Sequence, residues 1–403
     1  MRRHLGTVVV LVGLTACGVD GVVLRDGPDG SVTPTTDGGG SVLADGGASG
    51  PFAIQASQDY SCALVAGRAY CWGRNDTGAL GTGDTIVRLA PSSVASGVIF
   101  EALALGANHT CGLERDTGHV LCWGNGMHGQ LGQGRTVNEL TPVPVNLPGR
   151  VKVVTAGYDH TCAIIEPGAL YCWGSNAEGQ LGQNDDIDAP DALSPIRVGT
   201  DNDWIAVSGG QGHTCGIRTA GTYCWGRNAH DELGVGTGQP AQIRVPSLVA
   251  GDYVTVEGGQ DSAIAIGRDG TVHEWGDDDT HLWSGSARLS TPGQTPGLAS
   301  AREVSTDTFS SCALTNGGHV SCWGRNIEGQ LGLGDIDDHT FPTEMPSQGI
   351  PFSHVSVGRF HTCVMTEDGR FGCVGKNDMG QLGTGDTDRR NTVTLMTISI
   401  SFH

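Results

Sequence analysis

The tripeptide Cys-Trp-Gly returns along the chain at an almost constant interval. Its tryptophans are Trp72, Trp123, Trp173, Trp225 and Trp323, and a Glu-Trp-Gly variant adds Trp275. Successive gaps are 51, 50, 52, 50 and 48 residues, and Val374 stands in the tryptophan position 51 residues after Trp323. A fixed period of this size means one supersecondary unit per repeat, each unit burying its apolar face against the next. The chain must therefore be a modular array of seven similar pieces.

Within a repeat, short apolar runs alternate with period two between clusters of Gly, Asn and Asp, the pattern of strands and turns. No stretch carries the 3.6-residue apolar stripe of a long helix. About 50 residues accommodate four short strands and their turns, which is one blade of a β-propeller. Gly67, Gly118, Gly168, Gly270, Gly318 and Gly369 each lie five residues before the motif Trp or Val374, and Gly221 lies four before Trp225. Glycine tolerates the positive φ of a tight hairpin loop, so these positions predict the turn between two strands.

Thirteen cysteines are present, and twelve of them form couples nine to eleven residues apart inside single repeats. The couples are Cys62 with Cys71, Cys111 with Cys122, Cys162 with Cys172, Cys215 with Cys224, Cys312 with Cys322, and Cys363 with Cys373. In the fifth repeat Ala263 and Glu274 take both positions, so the two cysteines are lost together. Joint loss is what a hairpin disulfide predicts, because directly opposed residues on antiparallel strands are close enough to bridge. Free buried thiols do not explain that pairing, and the close Cys-x-x-Cys spacing of zinc sites is absent. Six such bonds imply an oxidising compartment.

The N-terminus agrees with export. Arg2 and Arg3 precede an apolar run from Leu5 to Leu14, too short to span a membrane and built like a secretory signal. Leu14-Thr15-Ala16-Cys17 resembles the lipobox of bacterial lipoproteins, which implies a signal peptide over 1–16 and acylation of Cys17. Gly18 after Cys17 favours the outer membrane or cell surface of a bacterial envelope over the inner membrane. Residues 18–50 hold ten Gly and five Asp among 33, a composition expected to give a solvated flexible tether. Such a coil would span about 30 Å. Residues 51–403 remain for seven repeats.

The blade signature reads HTCAI…LYCWGSNAEGQLGQ over 160–183 and CALTNGGHVSCWGRNIEGQLGLG over 312–334. It resembles the regulator of chromosome condensation repeat, and the resemblance covers essentially all of 51–403. The resemblance implies an all-β, seven-bladed propeller whose ring is closed by pairing of its N- and C-terminal strands. Founding members of that family act on a small nuclear GTPase and on chromatin. An exported chain with 23 basic and 43 acidic residues, net charge −20, fits neither setting, since an acidic surface repels nucleic acid and favours cationic partners.

His109, His160, His213 and His361 share one repeat position, with Tyr60, Asp261 and Ser310 read at that place in other copies; the expectation is structural histidines bonded within their own blades, the alternative a metal-holding ring. Asp185, Asp186 and Asp188, then Asp335, Asp337 and Asp338, then Asp386 and Asp388 could offer oxygen ligands to calcium, but none has EF-hand spacing and solvated loop charge is the expectation. In the fifth repeat, Asp279-Thr280-His281-Leu282-Trp283 replaces the usual Gly-Gln-Leu-Gly; ordinary repeat drift is the expectation, and a binding patch of His281 and Trp283 the alternative. No nucleophile, metal triad or phosphate loop stands out, and no cofactor is expected. The sequence reading is a monomeric, lipid-anchored, non-enzymatic propeller that binds an unknown protein or glycan, with a hydrolase or lyase acting in the central channel as the alternative.

Overall fold

The structure, a computed structural model, describes residues 53–183, 189–277, 288–347 and 349–398, together with the backbone of two short strands nearer the N-terminus. Those two strands, Val23–Asp26 and Val32–Thr35, pair antiparallel inside the segment read from composition as an unstructured tether. The remainder is a seven-bladed β-propeller. Six blades are four-stranded antiparallel sheets whose strands follow in chain order, as in Ala53–Ala56, Tyr60–Val65, Arg68–Gly73 and Arg88–Ser93 of the first blade. The seventh has Phe352–Val357, His361–Thr366 and Phe371–Gly375, with single bridges from Phe371 to Met396 and Gly375 to Arg390 at its outer edge. The C-terminal segment thus returns to its own blade, and the expected exchange of terminal strands is not how this ring closes.

All six predicted disulfides form between facing residues of the second and third strands, with Cα atoms 4.0 to 4.1 Å apart. The bridged cysteines are buried, at most 2 % exposed, because a middle strand of one blade is covered on both faces by its neighbours. The outermost strands, such as Arg88–Ser93 and His339–Glu344, alternate between half-buried and exposed. Ala66 and Gly67 both take positive φ, as the predicted hairpin loop requires.

The conserved geometry of the repeat explains its motif. Four motif indoles reach back one blade to a loop carbonyl: Trp123 to Ala79 O, Trp173 to Gln130 O, Trp225 to Gln180 O and Trp275 to Glu232 O, at 2.8 to 3.0 Å. The second glycine of Gly-Gln-Leu-Gly lies against the same ring. A Cβ on Gly132 would sit 2.8 Å from Trp173 Nε1, and one on Gly182 would sit 2.5 Å from Trp225 Nε1. A bulkier residue there would push the neighbouring blade away. Nearer the axis, small polar side chains accept from the next inner strand: Thr155 from Gly209 N, Ser208 from Gly258 N and Ser305 from Val357 N.

Closure between the seventh and first blades reuses these bonds. Trp72 Nε1 and Ser61 Oγ both donate to Gln381 O, and Ala56 N donates to Ser356 Oγ. The junction between blades six and seven is the exception. Val374 supplies no indole there, and the Thr362 hydroxyl and Gln330 amide nitrogen are buried without partners. Apolar packing of Met345, Val355 and Val374 and the bond from Val355 N to Glu303 Oε1 hold that seam instead.

The fifth blade has its own solution. Glu274, standing where a cysteine would be, accepts from Trp323 Nε1 at 3.1 Å and from Thr295 Oγ1 at 3.0 Å. The loss of a disulfide is coupled to the gain of a latch acceptor for the sixth blade. Burial pushes the Glu274 carboxyl up to about 7. A carboxyl whose folded pKa lies above its unfolded value stabilises fully below the unfolded value, near 4.5, and loses that contribution as pH rises to about 7. Glu274→Gln, which keeps the acceptor and removes the ionisation, should gain on the native protein by about 3 kcal/mol between pH 5 and 8 in urea unfolding. A pH-independent difference would contradict the assignment.

Candidate functional site

Inner strands from all seven blades converge on the axis, where Leu105, Ala156, Gly209, Thr306 and Val357 line a cavity of about 50 Å³. One face of the ring carries the turns between first and second strands and the long loops after the third. At this mouth the second residue of each turn is variable: Gln58, Gln211 and Gln260 in three blades, and Ala107, Tyr158, Thr308 and Arg359 in the others. Tyr158 reaches across from the third blade to the sixth. Its hydroxyl donates to Asp307 Oδ1 at 3.0 Å and lies 3.1 Å from Thr308 Oγ1, stoppering the channel. Burial raises the Asp307 carboxyl pKa, while the Tyr158 and Thr308 donors pull it back.

The other axial carboxylates brace neighbouring strands. Glu257 Oε2 accepts from Thr306 N, its second oxygen is unpartnered, and burial drives its pKa well above the ordinary range. Glu303 accepts from Val355 N and lies 3.4 Å from His354 Nδ1. A volume of this size holds a water or two, whereas small-molecule sites occupy a few hundred Å³.

The repeated histidines sit elsewhere, buried between blades. His109 Nε2 meets Thr161 Oγ1 and His160 Nε2 meets Thr214 Oγ1, both at 2.9 Å, and His361 Nε2 meets Ser61 Oγ at 2.8 Å. Each of those hydroxyls already donates to a loop carbonyl, so the imidazole Nε2–H is the donor. Their bonds therefore cross to the next blade, correcting the expectation of partners within their own. His213 has no such partner because Ala263 stands in the threonine position; Ile264, not Ala263 as the sequence alignment had it, faces Glu274 where the first cysteine of the pair would be. Burial pushes His109, His213 and His361 down to about 3 and His160 to about 4, so all four are neutral. The residue of the first, fifth and sixth blades at the histidine position is Tyr60, Ser262 and Ser310, so Asp261 lies one place earlier than the sequence alignment put it.

Among the described residues no group of three His, Cys, Asp or Glu side chains could hold a metal. Asp335 and Asp386 brace their own loops, accepting from Asn326 and Asn377 amides and from the backbone N–H of Asp337 and Asp388. Asp338 caps Asn326 N. Cys17, Asp185, Asp186, Asp188, His281 and Trp283 lie outside the described residues.

A cluster that the sequence reading missed occupies the sixth and seventh blades of the mouth. Phe309 and Phe360 stack with ring centroids 5.2 Å apart, Arg325 lies over Phe309 at 4.9 Å, and Arg359 and Lys376 lie over Phe360 at 5.2 and 5.5 Å. The corresponding turn positions elsewhere are Asp59, Asn108, Asp159, Gly212 and Asp261. Slot-by-slot comparison reveals two phenylalanines among polar residues; only the ring makes them neighbours.

Known proteins share this architecture. A model of the regulator of chromosome condensation (RCC1) repeat matches residues 66–113, 117–164, 167–217 and 317–365, and a second model of that repeat matches 100–130, 151–180 and 352–381. The ultraviolet-B receptor UVR8 of Arabidopsis thaliana is 30% identical over 351 residues, covering 83% of this chain and 67% of that protein. The chain belongs to the RCC1 repeat family. The E3 ubiquitin-protein ligase HERC2 of Homo sapiens is 29% identical over 73% of the chain, which spans only 6% of that protein. Among solved structures, human WBSCR16 superposes with a TM-score of 0.74 at 23% identity, covering 82% of this chain and 95% of that one. Prp20p of Saccharomyces cerevisiae superposes with 0.71 at 18% identity, covering 87% and 88%. Relatives in the RCC1 repeat family are mostly binding or regulatory proteins.

The stopper can be tested directly. Tyr158→Phe should lower stability by about 2 kcal/mol at pH 7.5, where it strips a donor from a buried carboxylate, and by less near pH 4. Equal losses at both pH values would show that the phenol–carboxylate bond contributes little.

Proposed function

We propose that this RCC1-family propeller is an exported, lipid-anchored binding module that captures a partner protein on the mouth face of its ring. The observation carrying this reading is the mouth itself. Its seven turns carry five different residues at the second position, with Gln in three of them, on an otherwise uniform frame, and the channel behind them is stoppered by Tyr158 and Asp307. A broad, non-repeating, shallow surface suits a macromolecule better than a small substrate. Protein binding is consistent with relatives: Prp20p was studied for its binding to Gsp1p and histones, and yeast RCC1 (Prp20) was solved with Kap60 bound.

The setting outside the cytoplasm is supported by six disulfides and by the signal and lipobox reading of residues 1–17. Acylation of Cys17 would hold the ring at a bacterial envelope on the segment 18–50. An exchange-factor role inside a nucleus does not suit these features.

Photo-cross-linkers at Gln211, on the mouth, and at Asp116, on the opposite face, would test the reading in bacterial envelope extracts. A protein adduct specific to Gln211 is expected, together with release of the chain from membranes by Cys17→Ser. Identical adducts at both positions, or none, would contradict mouth-face capture.

A further inference from the structure

We infer that Phe309, Phe360, Arg325, Arg359 and Lys376 form a docking patch for an acidic protein segment carrying apolar side chains. This deepens the mouth-face reading and rests on it. The chain carries a net charge of −20, yet three cations gather here on two stacked aromatic rings. The patch therefore selects the sign opposite to the bulk surface, which composition alone would assign to cationic partners.

Arginine follows Trp-Gly in three blades, as Arg74, Arg227 and Arg325, and its partners show why this spot differs. Arg74 pairs with Asp59 and Asp76, and Arg227 pairs with Glu232 and Asp261. In those blades the mouth is neutralised internally. At the sixth blade Phe309 takes the turn position, so Arg325 rests on a ring face and meets no carboxylate among the described residues. A stacked guanidinium keeps its in-plane N–H donors available, and that fork matches a carboxylate in two-point geometry. Arg359 is half-buried with an unpartnered Nε, and faces Asp307 only at longer range. Lys376 is shared with Asp59 and Asp378, so it contributes less. Both phenylalanines remain half-exposed and offer the apolar contact that a desolvated charge pair needs around it.

The stack also bridges the one seam that lacks a tryptophan latch, so removing Phe309 would confound folding with binding. Arg325 has no structural partner beyond the ring and separates the two. A polyphosphate ligand is disfavoured, because the short patch offers few cations and the two phenyl rings give a phosphate chain no apolar group to meet.

The test uses the full chain with fluorescein-labelled peptide EEFEEFEE, followed by anisotropy at 50 and 300 mM salt. Arg150→Glu on the opposite face controls for net charge, and a labelled thymidylate octamer controls for general anion binding. Saturable binding of the peptide that weakens at least tenfold in Arg325→Glu and less than twofold in Arg150→Glu supports the patch. Equal weakening in both variants, no binding at millimolar concentrations, or tighter Arg325-dependent binding of the octamer overturns it. Should the peptide fail while Gln211 still captures a protein, the mouth-face reading stands and only this patch is lost.

Discussion

The hydrogen bond from a motif indole to an acceptor of the preceding blade, a loop carbonyl at five seams and the Glu274 carboxyl at a sixth, is the constraint on which the ring depends. It fixes one rigid aromatic body of one blade against the backbone of the next. That single demand accounts for several motif positions. The ring needs a buried slot, so the strand beside it must be covered on both faces. The carbonyl needs a tight turn, and the close approach of the indole allows only glycine after the leucine of Gly-Gln-Leu-Gly. A threonine or serine shares the same carbonyl, and a histidine of the previous blade donates to that hydroxyl in turn. Disulfides hold each hairpin, but they lie within blades and do not join them.

Because the latches lie between blades, the axial turns are released from structural duty and can diverge. This separation lets one frame present Tyr158 as a stopper, acids on blades one, three and five, and an aromatic cluster with cations on blades six and seven. The same logic explains the two irregular seams. Where the fifth repeat departs from pattern, Glu274 supplies an acceptor from a side chain instead of a loop. Where the seventh lacks its indole, aliphatic packing and an axial carboxylate stand in.

Periodicity made the blade count, the hairpin turns and all six disulfides legible, since each is a relation within about fifty residues of chain. Relations between blades were harder to see. Glu274 reads as drift because the indole it serves is 49 residues away. Tyr158 and Asp307 are 149 residues apart, and nothing in either repeat points to the other. The histidines were correctly placed as structural, yet their partners belong to the next blade because the shared slot faces across the seam. Closure by terminal strand exchange was expected by likeness, but the latch itself already closes the circle without it. Phe309 and Phe360 occupy positions that other repeats fill with Asp, Asn or Gly, a signal present in the repeat alignment but weaker than the departure of the fifth repeat.

If closure is one more copy of the common latch, removing the indole donor at the ring's closing seam must cost what it costs inside the ring. Urea unfolding of Trp72→Phe and Trp173→Phe compares the two, each substitution leaving a serine or threonine donor on the same carbonyl. The expected result is a similar loss of about 1 to 2 kcal/mol for each, with a single cooperative transition. A silent Trp72→Phe beside a destabilising Trp173→Phe would contradict closure by the shared latch.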